Sequence, residues 1–298
     1  MIQVAILQAT SSHAEAFAAI LNRSGGPFEN RARAVSIWDE DIERARAASS
    51  GAVLATDDLA SALSGADAAM ICGRWGEEHP EIAKQIAQRN LPAFIDKPLA
   101  PDAEAAAEVA DAFEKSGTPA MSASAYRFAS EILDVRAQLE ALGPYRSGQA
   151  AGISEWAAFG ERGRDLGFYG VHVAEMIQAV FGNGFHAVTV TPGPDADLAI
   201  ISYPDGRLVS WHLLRESEDI YEVRYYGANG LACATIDPNG TYYENMLDAF
   251  IGMAESGRSP VPLGWSVEIV ALLDAVKMAR RSPGETVTIV PSAARVSG

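Results

Sequence analysis

The sequence predicts a two-domain α/β protein, with a doubly wound parallel sheet at the N-terminus and an α+β domain with an open antiparallel sheet after it. Three observations carry this prediction. The length of 298 residues exceeds what one ordinary core organises. Residues 1–123 alternate short apolar runs with helical patterns, and from residue 186 onward β-rich runs follow one another without helices between them.

The elements follow in order. Residues 2–7 form an apolar strand-like run, 14–21 have helical spacing, 34–38 read as a strand and 42–49 as a helix. An apolar run at 59–63, a strand at 68–72, a helix at 81–89, a strand at 93–95, a helix at 103–116 and a strand at 119–122 complete the first domain, residues 1–123. The second domain, 124–298, opens with a helix at 129–142, a strand at 145–156, a polar loop at 159–167 and a helix at 169–181. Four β runs follow at 187–191, 198–203, 208–214 and 222–227. Pro204-Asp205-Gly206 and Asn229-Gly230 are expected hairpin turns, since glycine accepts the positive φ that tight turns need. Helices at 245–255 and 267–280 close the chain, with Arg280 and Arg281 at the negative end of the last one.

Composition narrows the function. Against 23 Lys and Arg stand 39 Asp and Glu, a formal charge of -16 that repels nucleic acid and anionic membranes. With 48% apolar and 21% charged residues the chain is of globular composition. Cys72 and Cys233 cannot build a disulfide framework or a zinc site alone, which fits a reducing, cytoplasmic setting. The apolar start lacks a basic leader and a cleavage site, so it is expected to be a strand and not a signal. No His, Asp, Glu and Cys cluster has metal-ligand spacing, and no metal is expected.

The chemistry concentrates at strand ends. In a dinucleotide-binding fold the first βα turn carries GxGxxG, but the three glycine positions here fall on Gln8, Thr10 and His13. Ser12 and Glu15 have capping-box spacing, which explains a helix start without a ligand. The helix N–H groups, with the hydroxyls of Thr10, Ser11 and Ser12, equally suit an anion. Asp39 ends the second strand, where a carboxylate either caps the next helix or holds ribose hydroxyls and repels a 2′-phosphate, favouring NAD over NADP. Lys97 ends another strand, at the edge that faces the ligand crevice of a parallel sheet. There it is either a surface lysine before a turn or a group that binds a substrate oxygen. The Lys97–Pro98 bond is a candidate cis bond.

The run Asp96-Lys97-Pro98, with Tyr126-Arg127-Phe128 and Tyr169 to Met176, resembles the glucose-fructose oxidoreductase, inositol dehydrogenase and rhizopine-catabolism (Gfo/Idh/MocA) family, whose marker is Glu-Lys-Pro or Asp-Lys-Pro. The resemblance extends over nearly the whole chain. It implies a Rossmann domain, a substrate-binding and oligomerisation domain forming homodimers or homotetramers, and hydride transfer between NAD(P) and a sugar, inositol or polyol. It implies that Lys97 is the catalytic or substrate-orienting lysine and His172 the acid/base histidine, with Glu175 standing where the family has Asp. It implies that the loop with Arg74, Trp75 and His79 passes near the cofactor and that Pro98 is a further cofactor contact. Arg127, Trp156, Arg162, Arg164 and Glu175 are candidates for substrate contact. Two positions depart from the pattern: the first turn has no glycine, and Phe168 stands where a catalytic Asp precedes the histidine, leaving Tyr169 as the nearest donor. These departures keep open an alternative, a non-catalytic small-molecule-binding protein on the same scaffold.

Overall fold

The computed structural model describes residues 1–51 and 53–291. In chain order its elements are β1 (Ile2–Leu7), α1 (His13–Leu21), β2 (Ala32–Trp38), α2 (Ile42–Ser49), β3 (Leu54–Thr56), α3 (Leu59–Leu63), β4 (Ala68–Ile71), α4 (His79–Gln88), β5 (Ala93–Ile95), α5 (Ala103–Ser116) and β6 (Ala120–Ser122). There follow α6 (Ser130–Gln138), β7 (Tyr145–Glu155), α7 (Gly160–Gly163), α8 (Leu166–Phe181), β8 (Ala187–Thr191), β9 (Ala196–Ser202), β10 (Leu208–Arg215), β11 (Tyr221–Gly227), β12 (Gly230–Thr235), α9 (Tyr242–Ser256), α10 (Leu263–Arg281) and β13 (Thr286–Thr288). The expected strands at 2–7, 93–95 and 187–191 and the expected helices at 42–49 and 103–116 are found to the residue.

The chain divides into two compact units. The first comprises 1–100, 108–123 and 243–266, the second 101–107, 124–242 and 267–298. The expected division into 1–123 and 124–298 differs from these units in two segments, 101–107 and 243–266. Helix α9 packs in the first unit, where Tyr243 meets the Phe17 ring at 5.4 Å and Phe250 meets Phe94 at 6.3 Å. Arg31 also pairs with Asp248 and Glu255. Helical periodicity reports which face of a helix is apolar but not which sheet that face covers.

The first sheet has six strands in the order β3-β2-β1-β4-β5-β6, all parallel. Val4 to Leu7 are wholly buried, as are the strands β4 and β5, which is why they read as continuous apolar runs and not as alternations. Strand order reverses between β1 and β4. In open α/β sheets that switch point opens a crevice outside the carboxyl ends of the strands, and ligands bind there. The carboxyl ends of β1, β4 and β5 carry Gln8, Gly73 and Lys97 just beyond them.

The second sheet has seven strands in the order β12-β11-β7-β10-β9-β8-β13. It was expected to be antiparallel throughout, but β7 and β10 run parallel, so the sheet is mixed. Strands β3, β12 and β13 were not expected; β3 and β13 have three residues each, as β5 does, but unlike β5 they have no buried residue, so they leave no apolar run. The hairpin at 204–206 forms with Gly206 at φ +87°. At 227–230 the hairpin forms differently, with Gly230 paired to Gly227 as the first residue of β12 and no positive φ at Asn229 or Gly230. Helix α8 lies close on β7. A Cβ at Gly148 would sit 2.5 Å from the Phe181 ring, and one at Gly152 would sit 2.6 Å from Val173. That approach buries Val171, Val173, Met176 and Ile177, each worth roughly 1.5–3 kcal/mol of hydrophobic stabilisation.

Candidate active site

In the first unit the β1–α1 turn supplies the first group of candidates. Gln8 occupies the first glycine position of the fingerprint and takes its left-handed conformation, φ +64°, at a cost of roughly 1–2 kcal/mol for a residue with a side chain. Its Nε2 donates to the carbonyl of Glu78 at 2.7 Å, while Oε1 is buried without a partner. The Thr10 hydroxyl donates to Glu78 Oε2 at 2.8 Å and accepts from the Arg74 N–H at 2.9 Å, and Arg74 Nε donates to the Thr10 carbonyl. The Ser11 hydroxyl donates to the Cys72 carbonyl and accepts from the His13 N–H. The Ser12–Glu15 capping box is not formed, because Ser12 sits at the helix start in a helical conformation with no side-chain capping bond. Ser11 takes that part.

His13, at the third glycine position, does not present its ring to an anion. Nδ1 lies 2.5 Å from Asp96 Oδ2, and Nε2 lies 2.9 Å from the hydroxyl of Tyr243. Burial alone would push the Asp96 carboxyl up. The charges of His13, Lys97 and His79, with the His13 hydrogen bond, outweigh it and hold the group at about 2. The carboxylate thus ties α1 to the end of β5, its Oδ1 accepting from the Lys97 N–H at 2.8 Å.

Asp39 is buried at the end of β2. Its Oδ2 accepts from the Ala9 N–H and its Oδ1 from the Asp41 N–H, with Arg44 Nη1 at 3.3 Å. The cap of α2 is Asp41, so Asp39 is not the helix cap it could have been. Lys97 is 9% exposed at the end of β5. Burial pushes its pKa down and Arg74 adds to this, while Asp96 opposes them. The Lys97–Pro98 bond is cis. His79 is a correction: it is fully buried, with Nδ1 on the Pro98 carbonyl at 2.8 Å and Nε2 on the Gly73 carbonyl at 2.9 Å. Both ring nitrogens are engaged in pinning two loops together, which leaves none for a cofactor. Arg74 and Trp75 are half-buried on the loop after β4.

In the second unit the candidates gather on α8, whose start is capped by Asp165 accepting from the Gly167 N–H. His172 Nδ1 lies 2.7 Å from the Ser124 hydroxyl, and its ring neighbours those of Tyr126 at 5.0 Å, Tyr221 at 5.7 Å and Tyr169 at 6.0 Å. Because α8 begins at Leu166 and not at Tyr169, His172 lies past the first turn. There the field of the helix N-terminus has faded. Arg127 and Glu175 are corrections as substrate ligands. They form a buried ion pair through Arg127 Nε and Glu175 Oε2, and Arg127 Nη2 donates to Gln178. Gln178 in turn donates to Glu268, which accepts from the Gly184 and Phe185 N–H groups. Burial pushes the Glu175 carboxyl up against the pull of Arg127. Trp156 is 37% exposed with its ring 5.0 Å from Tyr169, and Arg162 and Arg164 are exposed on and just after α7. Phe168 is buried against Phe159 and Tyr169.

Glu78, Ser124, Arg44 and Tyr243 have no mark in the sequence. Each is joined to its partner by folding, and for Glu78 and Tyr243 the partner lies 68 and 230 residues away. Among the described residues no group of three or more His, Cys, Asp or Glu could hold a metal ion, and no helix is long and apolar enough to cross a membrane.

A 3-2-1-4-5-6 parallel sheet with a left-handed first turn, an acidic end to β2 and a buried lysine at the end of β5 defines a Rossmann-type nucleotide-binding domain, here joined to a mixed-sheet α/β unit. Residues 4–124 match the model of the Gfo/Idh/MocA oxidoreductase family, NAD-binding Rossmann fold. The whole chain has the fold of solved oxidoreductases. A myo-inositol dehydrogenase from Lactobacillus casei, solved with NAD(H) and myo-inositol, superposes with a TM-score of 0.83 at 16% identity over 97% of either chain. A Sinorhizobium meliloti protein described as a myo-inositol dehydrogenase gives 0.82 at 17%, covering 97% of this chain and 100% of that one. An Agrobacterium radiobacter oxidoreductase, solved with NAD+, L-tartaric acid and magnesium, gives 0.78 at 18% over 97% and 98%. No curated protein matches the sequence.

The residues present fit a dinucleotide. Gln8 reproduces the glycine turn, α1 presents its N-terminal end beside Arg74, and the Asp39 oxygens have acceptor capacity left for ribose hydroxyls. One group opposes the fit, the Glu78 carboxylate on Thr10.

Proposed function

We propose that the protein is an NAD-dependent oxidoreductase that moves a hydride between the cofactor and a hydroxyl or carbonyl carbon of a sugar, inositol or polyol. The observation that carries this reading is Lys97, buried at the carboxyl end of β5 with its pKa lowered, in a domain that matches the model of an NAD-binding family. When bound, the nicotinamide supplies the hydride acceptor or donor. Asp39 holds the ribose hydroxyls and its charge disfavours a 2′-phosphate, which selects NAD over NADP. Thr10, Ser11 and Ser12 at the start of α1, with Arg74, hold the pyrophosphate. Lys97 orients the substrate oxygen.

His172 takes the hydroxyl proton at Nε2 while Ser124 holds the ring through Nδ1. Tyr169, beside that ring, stands in for the carboxylate missing at Phe168. Trp156 and Arg164 meet the outer part of the substrate. The test is nicotinamide reduction with a panel of inositols, polyols and sugars by wild type and Lys97→Met. The variant is expected to lose roughly a thousandfold in kcat/KM while binding NADH as before. An inactive wild type across the panel, or an unimpaired Lys97→Met, would sink the reading. The Glu78–Thr10 contact favours a second reading, a ligand-binding protein without turnover. It predicts a small molecule that raises the melting temperature and is recovered unchanged.

A further inference from the structure

We propose that Glu78 sets the dinucleotide affinity of this domain: its carboxylate, held on the Thr10 hydroxyl across the crevice between β1 and β4, competes with the cofactor's pyrophosphate. The inference rests on the dinucleotide reading above and concerns how the same site is regulated by its own side chains.

The crevice lies at the switch point of the sheet, where a pyrophosphate needs bare backbone on the β1 side. Here every position that the fingerprint reserves for glycine carries a side chain engaged elsewhere, Gln8 and Thr10 with Glu78 and His13 with Asp96. Five hydrogen bonds join the two lips. Gln8 donates to the Glu78 carbonyl, Thr10 to the Glu78 carboxylate, Ser11 to the Cys72 carbonyl, and Arg74 to Thr10 twice. The fit is close, since a Cβ on Gly73 would lie 2.8 Å from Gln8 Oε1 and 2.9 Å from Glu78 Oε2. Gln8 Oε1 is buried with no partner, so the arrangement leaves one polar atom unsatisfied.

The Thr10 hydroxyl, which an incoming phosphate would use, therefore already serves an anion that belongs to the protein. Two anions cannot share that donor without strong repulsion at contact distance. Cofactor binding is then an exchange, in which Glu78 swings out and the dinucleotide takes over Thr10 and Arg74. Glu78 Oε2 also lies 3.5 Å from the Trp75 N–H, closing its own short turn. A purely capping role would affect melting and not affinity.

The test compares wild type, Glu78→Gln and Thr10→Gly as full-length protein, with NADH fluorescence and ADP calorimetry as binding readouts and thermal melting as a check of folding. Glu78→Gln keeps the shape and removes the charge, and Thr10→Gly removes the hydroxyl that anchors the carboxylate. Glu78→Gln is expected to bind NADH at least about tenfold more tightly at low salt, and Thr10→Gly, which loses the cofactor's donor together with the carboxylate's anchor, is expected to gain less. ADP should share the gain, and added salt should shrink the Glu78→Gln effect as it screens the repulsion. Equal or weaker NADH binding by a folded Glu78→Gln overturns the inference and leaves the dinucleotide reading standing. No binding of NADH or ADP by any form at millimolar concentration overturns both.

Discussion

The turn after β1 and the surroundings of His172 are built from opposite materials. The turn is a mesh of hydroxyl, amide and carboxylate groups in which almost every donor has an acceptor. His172 stands among aromatic rings, with Ser124 on one nitrogen, while Glu175 on the same helix is locked in a buried pair with Arg127. A mesh of hydrogen bonds changes its behaviour when one donor changes partner, because each exchange is worth a kcal/mol or so and charged ones more. A ring-lined site changes when its shape changes, and it depends on the polar layer beneath staying complete.

That difference can be broken or sharpened by measurement. The largest effect is expected under α8. Arg127→Ala should cost about 3–5 kcal/mol in urea unfolding, since it leaves Glu175 buried without its cation, and adding Glu175→Gln should recover part of the loss. A loss under 1 kcal/mol would show that this polar layer does not support the rings.

The mesh is expected to show itself in acid. Asp96 titrates at about 2 against an ordinary 3.8, a depressed carboxyl, so its stabilisation is present above the unfolded value and disappears as pH falls through the folded one. Stability should therefore drop by on the order of 2 kcal/mol between about pH 4 and pH 2, and Asp96→Asn should flatten that part of the curve. An unchanged acid limb in Asp96→Asn would remove Asp96 from the account. The smallest effect belongs to Ser124→Ala, about 1 kcal/mol in stability, with a displaced pH profile of kcat/KM as the reading that separates ring positioning from packing. A profile identical to wild type would reduce Ser124 to a structural contact.

Most of the first sheet was legible because parallel strands covered on both faces are unbroken apolar runs and the helices between them keep a regular period. Lys97 stood out through its neighbours Asp96 and Pro98. Arg127 and Glu175 were misread for a physical reason. A charged residue in sequence looks available for a ligand, and only folding reveals that its counter-charge, 48 residues away, has claimed it. The role of His13 is hidden for the same reason, since neither Asp96 nor Tyr243 is local to it. Glu78 was invisible as one of two adjacent glutamates before His79, and its meaning depends wholly on the hydroxyl of Thr10.

The return of α9 to the first unit bears on how this chain is made. Residues 243–266 belong to the first unit, so while the ribosome is still producing the second unit, Phe17 and Phe94 lack the ring contacts that Tyr243 and Phe250 later supply. The nucleotide-binding half is begun first and finished almost last, and it carries exposed apolar surface in the interval. A fragment cut at residue 123 would remain in that unfinished state, which makes it a poor stand-in for the domain in solution and a candidate for aggregation. A fragment that joins residues 1–123 to 243–266 through a linker restores those ring contacts.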